Sequence, residues 1–165
     1  MAEVPLPRLV KGGAMYLDDY IEGLTFQLSP ISFTEQEIIN FAKVHDPRPI
    51  HVDPEVAAKS RFGGIIASGF HTFYACWGKW VHTKLDEGGV VAGIGMDHLR
   101  WLKPVYPHVM LYTTLVVDKI EIKSGGDYGV VHLDVFIRDK DGELLMEHDA
   151  IVLVAREGVE VKRSK

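Results

Sequence analysis

At 165 residues, with 47% hydrophobic and 25% charged positions, the chain is long enough to bury one core without disulfides or metal. A net charge of −5 argues against the clustered basic surface that nucleic-acid binding needs, and no apolar run reaches the ~18 residues of a membrane span. A single cysteine, Cys76, rules out an internal disulfide framework and fits a reducing compartment. With Pro5 and Pro7 in place of a signal-peptide apolar core, the expected location is cytoplasmic.

In chain order, residues 1–23 read as an N-terminal arm, 24–156 as one domain, and 157–165 as a tail whose Lys162, Arg163 and Lys165 are solvated. Residues 24–33 alternate at Phe26, Leu28, Ile31 and Phe33, which predicts a first strand interrupted at Pro30. Thr34 followed by Glu37 is a capping box, and Ile38, Phe41, Ala42 and His45 fall on one helical face, so a helix runs to about 44. Asp53-Pro54-Glu55 starts a second short helix over 54–60, ending before the Phe62-Gly63-Gly64 turn.

Residues 65–85 stand apart. Ile66, Phe70, Phe73, Trp77 and Trp80 recur at helical steps, and Ala67, Gly69, Tyr74, Ala75, Cys76 and Gly78 leave the other faces apolar or small. A helix apolar nearly all round is a buried one, here roughly 30 Å long. Cys76, between Ala75 and Trp77, reads as a packing residue and not a nucleophile. Residues 90–101, 108–123, 127–138 and 143–156 then read as strands, with turns at Ser124-Gly125-Gly126-Asp127 and Asp139-Lys140-Asp141-Gly142. Val131, Leu133, Val135 and Ile137 alternate with His132, Asp134, Phe136 and Arg138, one face dry and one wet. The predicted class is α+β, an antiparallel sheet wrapped around a long central helix.

The stretch that carries chemistry is His45-Asp46-Pro47-Arg48-Pro49-Ile50-His51. Each proline pushes the residue before it out of the helical region, so Asp46 and Arg48 should be extended. The prolines also lack an N–H, which makes the segment a stiff, non-regular connector holding a carboxylate and an imidazole at a set separation. Such a pair can serve as general acid and base on one water. The same spacing also fits Asp46 capping a turn and His51 packing under a loop. The other histidines show no zinc spacing, and no metal or separate cofactor is implied.

The stretch Phe41-Ala42-Lys43-Val44-His45-Asp46-Pro47-Arg48-Pro49-Ile50-His51, with Ala57 beyond it, resembles the motif of MaoC-like dehydratases and (R)-specific enoyl-CoA hydratases. Phe62-Gly63-Gly64-Ile65-Ile66-Ala67-Ser68-Gly69 is similar to that family's lead-in to its central helix. Arg100-Trp101-Leu102-Lys103-Pro104-Val105-Tyr106-Pro107 is similar to its later strand-and-turn signature. The resemblance implies a hotdog fold and hydration or dehydration of an enoyl or 3-hydroxyacyl thioester. Coenzyme A enters only as part of that acyl-CoA substrate. Asp46 and His51 become the acid–base pair, and the backbone N–H of Gly69 becomes the donor to the developing oxyanion. Arg48 and Ser68 become substrate contacts, Ser68 without a share in proton transfer. The implied assembly is a homodimer, or a dimer of dimers or trimer of dimers.

Three departures from the family pattern stand out: His45 replaces a glycine, Arg48 an asparagine, and His108-Val109 a Gly-Asp pair. A cation at 48 favours an ionised Asp46 and offers a partner to a substrate carrying a further acidic group. The rival readings are a hotdog acyl-CoA thioesterase and a non-catalytic acyl-thioester-binding protein. Against the first, residues 65–84 contain no Asp or Glu, where such thioesterases place a carboxylate.

Overall fold

A computed structural model describes residues 14–160, so residues 1–13 of the predicted N-terminal arm, and the tail residues Lys162, Arg163 and Lys165, lie outside the described residues. The strand-forming stretches build one antiparallel sheet from β1 (Thr25–Gln27), β2 (Val90–Trp101), β3 (Tyr112–Ile122), β4 (Tyr128–Arg138) and β5 (Leu144–Ala155). Its order is β1-β3-β4-β5-β2. The alternation predicted for β4 sets the register: Val131 faces Val152, Leu133 faces Ala150, and Ile137 faces Met146, all buried. A one-residue slip would turn this whole row to solvent. The first strand is shorter than its alternation predicts. Beyond Gln27 the pairing thins to the Leu28 N–H donating to Thr113 O and the bridge between Ile31 and Leu111. Pro30 has no N–H to give a ladder, which accounts for the break.

The helices are α1 (Glu35–His45), α2 (Pro49–Val52), α3 (Pro54–Lys59) and α4 (Gly69–Thr83). The capping box on α1 is formed: Glu37 N–H donates to Thr34 Oγ1 at 3.2 Å, and Thr34 N–H donates to Glu37 Oε2 at 2.7 Å. The Thr34 N–H and hydroxyl, both donating to Oε2, hold the Glu37 carboxyl below its ordinary value. Asp53 caps α3 as predicted, accepting from Glu55 and Val56 N–H.

The central helix corrects two expectations. It begins at Gly69, not 65, because Ser68 caps it by accepting the Phe70 N–H at 3.3 Å. Residues 65–68 instead run non-helically and buried beneath the site, Ala67 N–H donating to Val105 O. The helix ends where Lys84 enters the left-handed region at φ 58°. At ~1.5 Å per residue it spans about 22 Å. Nor is it covered all round: Thr72, Cys76 and Trp80 face the sheet fully buried, whereas Phe70, Tyr74 and Val81 are 46%, 61% and 52% exposed. Within one chain the sheet curls over a single side of it. Cys76 is wholly buried, and burial pushes its thiol up to about 11, consistent with packing and not nucleophilic duty.

The core reaches into residues 14–23, read from sequence as the end of the arm. Met15, Leu17 and Tyr20 are buried with Trp80, Leu115 and Val131. No helix among the described residues is long and apolar enough to cross a membrane.

Candidate active site

Three separate local devices bring the functional side chains together. First, α1 runs out at Asp46, whose N–H still reaches Ala42 O at 2.9 Å, and Pro47 forbids another turn. Second, the connector is not irregular throughout. Arg48 is extended at φ −72°, ψ 142° as expected, but Pro49 then opens the single turn α2. Proline suits a first helical position, since the N–H it lacks would have no partner there. His51 sits on that turn. Third, the cap of α4 delivers Ser68 and Gly69.

The resulting geometry is specific. His51 is 6% exposed, and its Nδ1 lies 2.7 Å from Ile66 O. A carbonyl can only accept, so Nδ1 carries the proton and the Nε2 lone pair is left facing outward. That Nε2 lies 3.6 Å from Asp46 Oδ2. Two acceptors at this separation suit a shared water, which can donate one proton to each and direct its oxygen lone pairs elsewhere.

Ser68 is fully buried and donates its hydroxyl to Asp46 Oδ2 at 2.7 Å. Expected as a substrate contact, it spends its proton fixing Asp46 and its lone pair capping α4. Arg48, 75% exposed, brings Nε to 3.4 Å from Asp46 Oδ1. So Asp46 has a neutral donor and an imidazole on one oxygen and a guanidinium near the other.

Asp46, Arg48, His51, Ser68 and Gly69 all line one cleft of about 450 Å³, together with Arg61, Phe70, Trp101, Lys103 and Met146. The five residues singled out from sequence are thus assembled in one place. Its size is that of a small-molecule site. Gly69 is the first residue of α4, where backbone N–H groups lack intrahelical acceptors and the helix dipole is positive. Trp101 and Arg61 were not singled out as site residues. Trp101 lay within the strand signature, but its approach to Gly69 is a contact across the fold that no local pattern announces.

In the 100–107 stretch, Lys103 pairs with Glu143 Oε1 at 2.9 Å and Arg100 donates to Leu99 O. His98 lies inside β2 at an irregularity and pairs with Asp149, which raises its pKa. No group of His, Cys, Asp and Glu suited to a metal occurs among the described residues. The position where the family carries glycine but this chain has His108 is left-handed, at φ 66°.

The sequence model of the MaoC like domain matches residues 22–135. Among relatives, the chain is 38% identical over 106 residues to the uncharacterized protein YdeM of Bacillus subtilis, covering 64% of this chain and 75% of YdeM. The crystal structure of a MaoC-like dehydratase from Rhodospirillum rubrum superposes with a TM-score of 0.81 at 29% identity, over 88% of this chain and all of that one (100%). R-Hydratase PhaJ1 from Pseudomonas aeruginosa, unliganded, gives 0.72 at 20% identity over 92% and 93% of the two chains, a likeness of fold. The chain belongs to the MaoC-like dehydratase family and has its hotdog fold.

Proposed function

We propose that the protein is an (R)-specific hydratase or dehydratase of an enoyl or 3-hydroxyacyl thioester carried on coenzyme A. The observation that carries the reading is the Asp46–His51 pair, 3.6 Å apart, with the imidazole tautomer fixed by Ile66 O. A water held by both groups attacks the β-carbon of the enoyl thioester. As an oxygen lone pair of the water forms the C–O bond, one of the pair takes the water's proton and, now protonated, gives it to the α-carbon, where the π electrons form the C–H bond; the other group holds the water in place. Reversal gives dehydration. As negative charge builds on the thioester oxygen, Gly69 N–H at the start of α4 donates to it. A donor so placed typically contributes about 2.7–4 kcal/mol. The dehydratase and R-hydratase names of the structural relatives support this chemistry.

The working unit in this reading is a homodimer. β1 is a three-residue edge that guards itself by its length, but β2 is a twelve-residue edge that is almost wholly exposed. A bare edge of that length invites a partner strand, and a second copy supplies one. The uncovered Phe70, Tyr74 and Val81 face of α4 gives such a partner apolar surface to bury.

The test is hydration of crotonyl-CoA, followed as loss of the enoyl-thioester absorbance, for wild type, Asp46→Asn and His51→Ala. Acid–base groups of this kind contribute ~10²–10⁴-fold, so each variant should fall by about that factor with its fold intact. The Arg48–Asp46 contact favours one second reading, a binding protein in which the carboxylate is occupied. It predicts thioester binding with no turnover in wild type.

A further inference from the structure

Trp101 closes one side of the cleft in a way the proton chemistry does not require. Its indole stands so near Gly69 that a Cβ built there would overlap Nε1, Cε2 and Cδ1. The face of the pyrrole ring therefore lies over Gly69, which sets the indole nitrogen beside the residue whose backbone N–H is the oxyanion donor. The strand pins this placement: Trp101 pairs with Met146, and the next two N–H groups, of Leu102 and Lys103, both donate to Leu145 O. Phe70 meets the indole edge-on, ring centroids 5.1 Å apart. The ring stays 48% exposed, open to the cleft.

We propose that Trp101 supplies a second donor to the thioester oxygen, its indole N–H acting beside the Gly69 amide. The proposal rests on the hydratase reading and names a further catalytic group within it. An indole N–H donates and never accepts, so it cannot pair with the neighbouring amide and is available to an oxygen acceptor. Its hydrogen bond strengthens as that oxygen gains charge, so it favours the transition state over bound substrate. The arrangement also gives glycine at 69 a second reason: any side chain there would push the indole off the site as well as block substrate.

The experiment compares crotonyl-CoA hydration by wild type, Trp101→Phe and Trp101→His, with thermal melting of each. Phenylalanine keeps an aromatic ring beside Phe70 but has no N–H; histidine restores a ring N–H. Loss of a single oxyanion donor costs ~10²–10³ in kcat, and a half-exposed donor belongs at or below the low end, about 10–100-fold for Trp101→Phe. The expected result is that fall in kcat with KM within a few-fold, and partial recovery in Trp101→His. Trp101→Phe with wild-type kcat overturns the proposal and leaves the hydratase reading standing. So does a pair of variants equally impaired in step with lowered melting temperatures, which would make the ring a wall. Wild type inactive on the thioester overturns both.

Discussion

His148 offers a quantitative test of the core. It lies on β5 opposite Val135, is 1% exposed, and among the described residues neither ring nitrogen has a hydrogen-bond partner. Phe73 and Trp77 of α4 pack edge-on against it, at 5.1 Å and 6.2 Å between centroids. Burial disfavours the charged form and pushes its pKa down from 6.5 to about 4, against a weak opposing pull from Asp149. Between those values the unfolded chain binds the proton and the folded chain does not. Stability therefore falls as pH drops through this window, and the loss is complete below about 4. At about 1.36 kcal/mol per unit the full loss is ~3 kcal/mol, of which about 2 has occurred by pH 5. His148→Leu removes the titration and two orphaned polar atoms at similar volume. It should be more stable than wild type by about 1 kcal/mol at pH 7, and by ~3 kcal/mol at pH 5. Urea unfolding at the two pH values reads both numbers, and the difference between proteins cancels the other titrating groups. A gap that stays constant with pH, or a variant less stable than wild type at pH 7, would show that the ring is hydrogen-bonded in solution and refute the reasoning.

The other predictions concern backbone strain and assembly. His108 holds φ 66° while its N–H donates to Phe33 O at 2.7 Å. Left-handed backbone costs a side chain ~1–2 kcal/mol, partly offset by glycine's greater freedom in the unfolded chain, so His108→Gly should stabilise by about 0.5–1 kcal/mol in urea melts. A destabilised variant would mean that the imidazole makes a compensating contact. Ile94, 52% exposed on the β2 edge, should become intolerant of charge if two copies pair there. Ile94→Lys is expected to shift sedimentation from dimer to monomer at micromolar concentration; an unchanged dimer would move the interface elsewhere.

The strands were the most legible part of the molecule. Residues 90–101 match β2 end to end, and the other three long strands differ from their predicted ranges only at the termini. They are rich in strand-forming residues, β4 alternates between a dry and a wet face, and glycine-rich turns bound β3, β4 and β5. The central helix was legible in type but not in extent. Residues 65–68 carry the same apolar character as a buried helix, and periodicity alone does not separate them from one. What stops the helix is Ser68 competing for the Phe70 N–H, a side-chain bond that composition does not reveal. The expectation that the helix is buried all round fails for a different reason. Sequence reports which faces are apolar, not what covers them, and Phe70, Tyr74 and Val81 stay exposed among the described residues.

At the site, residue types were readable and connections were not. The two prolines in Asp46-Pro47-Arg48-Pro49 foretold a break and extended backbone at Asp46 and Arg48; the break and the extended Arg48 are present, but Asp46, at φ −157°, ψ 71°, is not extended, its N–H still closing the last turn of α1 on Ala42 O. That Pro49 also starts a turn follows from the same missing N–H that disqualifies it from a helix interior. The bond from Ser68 to Asp46 spans 22 positions in sequence and could not be foreseen. Yet it changes how the departure at 48 weighs. Were Arg48 the sole partner of Asp46, its charge would decide where the carboxylate points. Ser68, with no exposure and a 2.7 Å bond, holds one oxygen beside His51 without help from a side chain that is three-quarters in water. An ion pair that exposed contributes little to holding geometry. The chain can therefore carry arginine where its family has asparagine and keep the Asp46–His51 separation, because a serine already committed to capping α4 does the orienting.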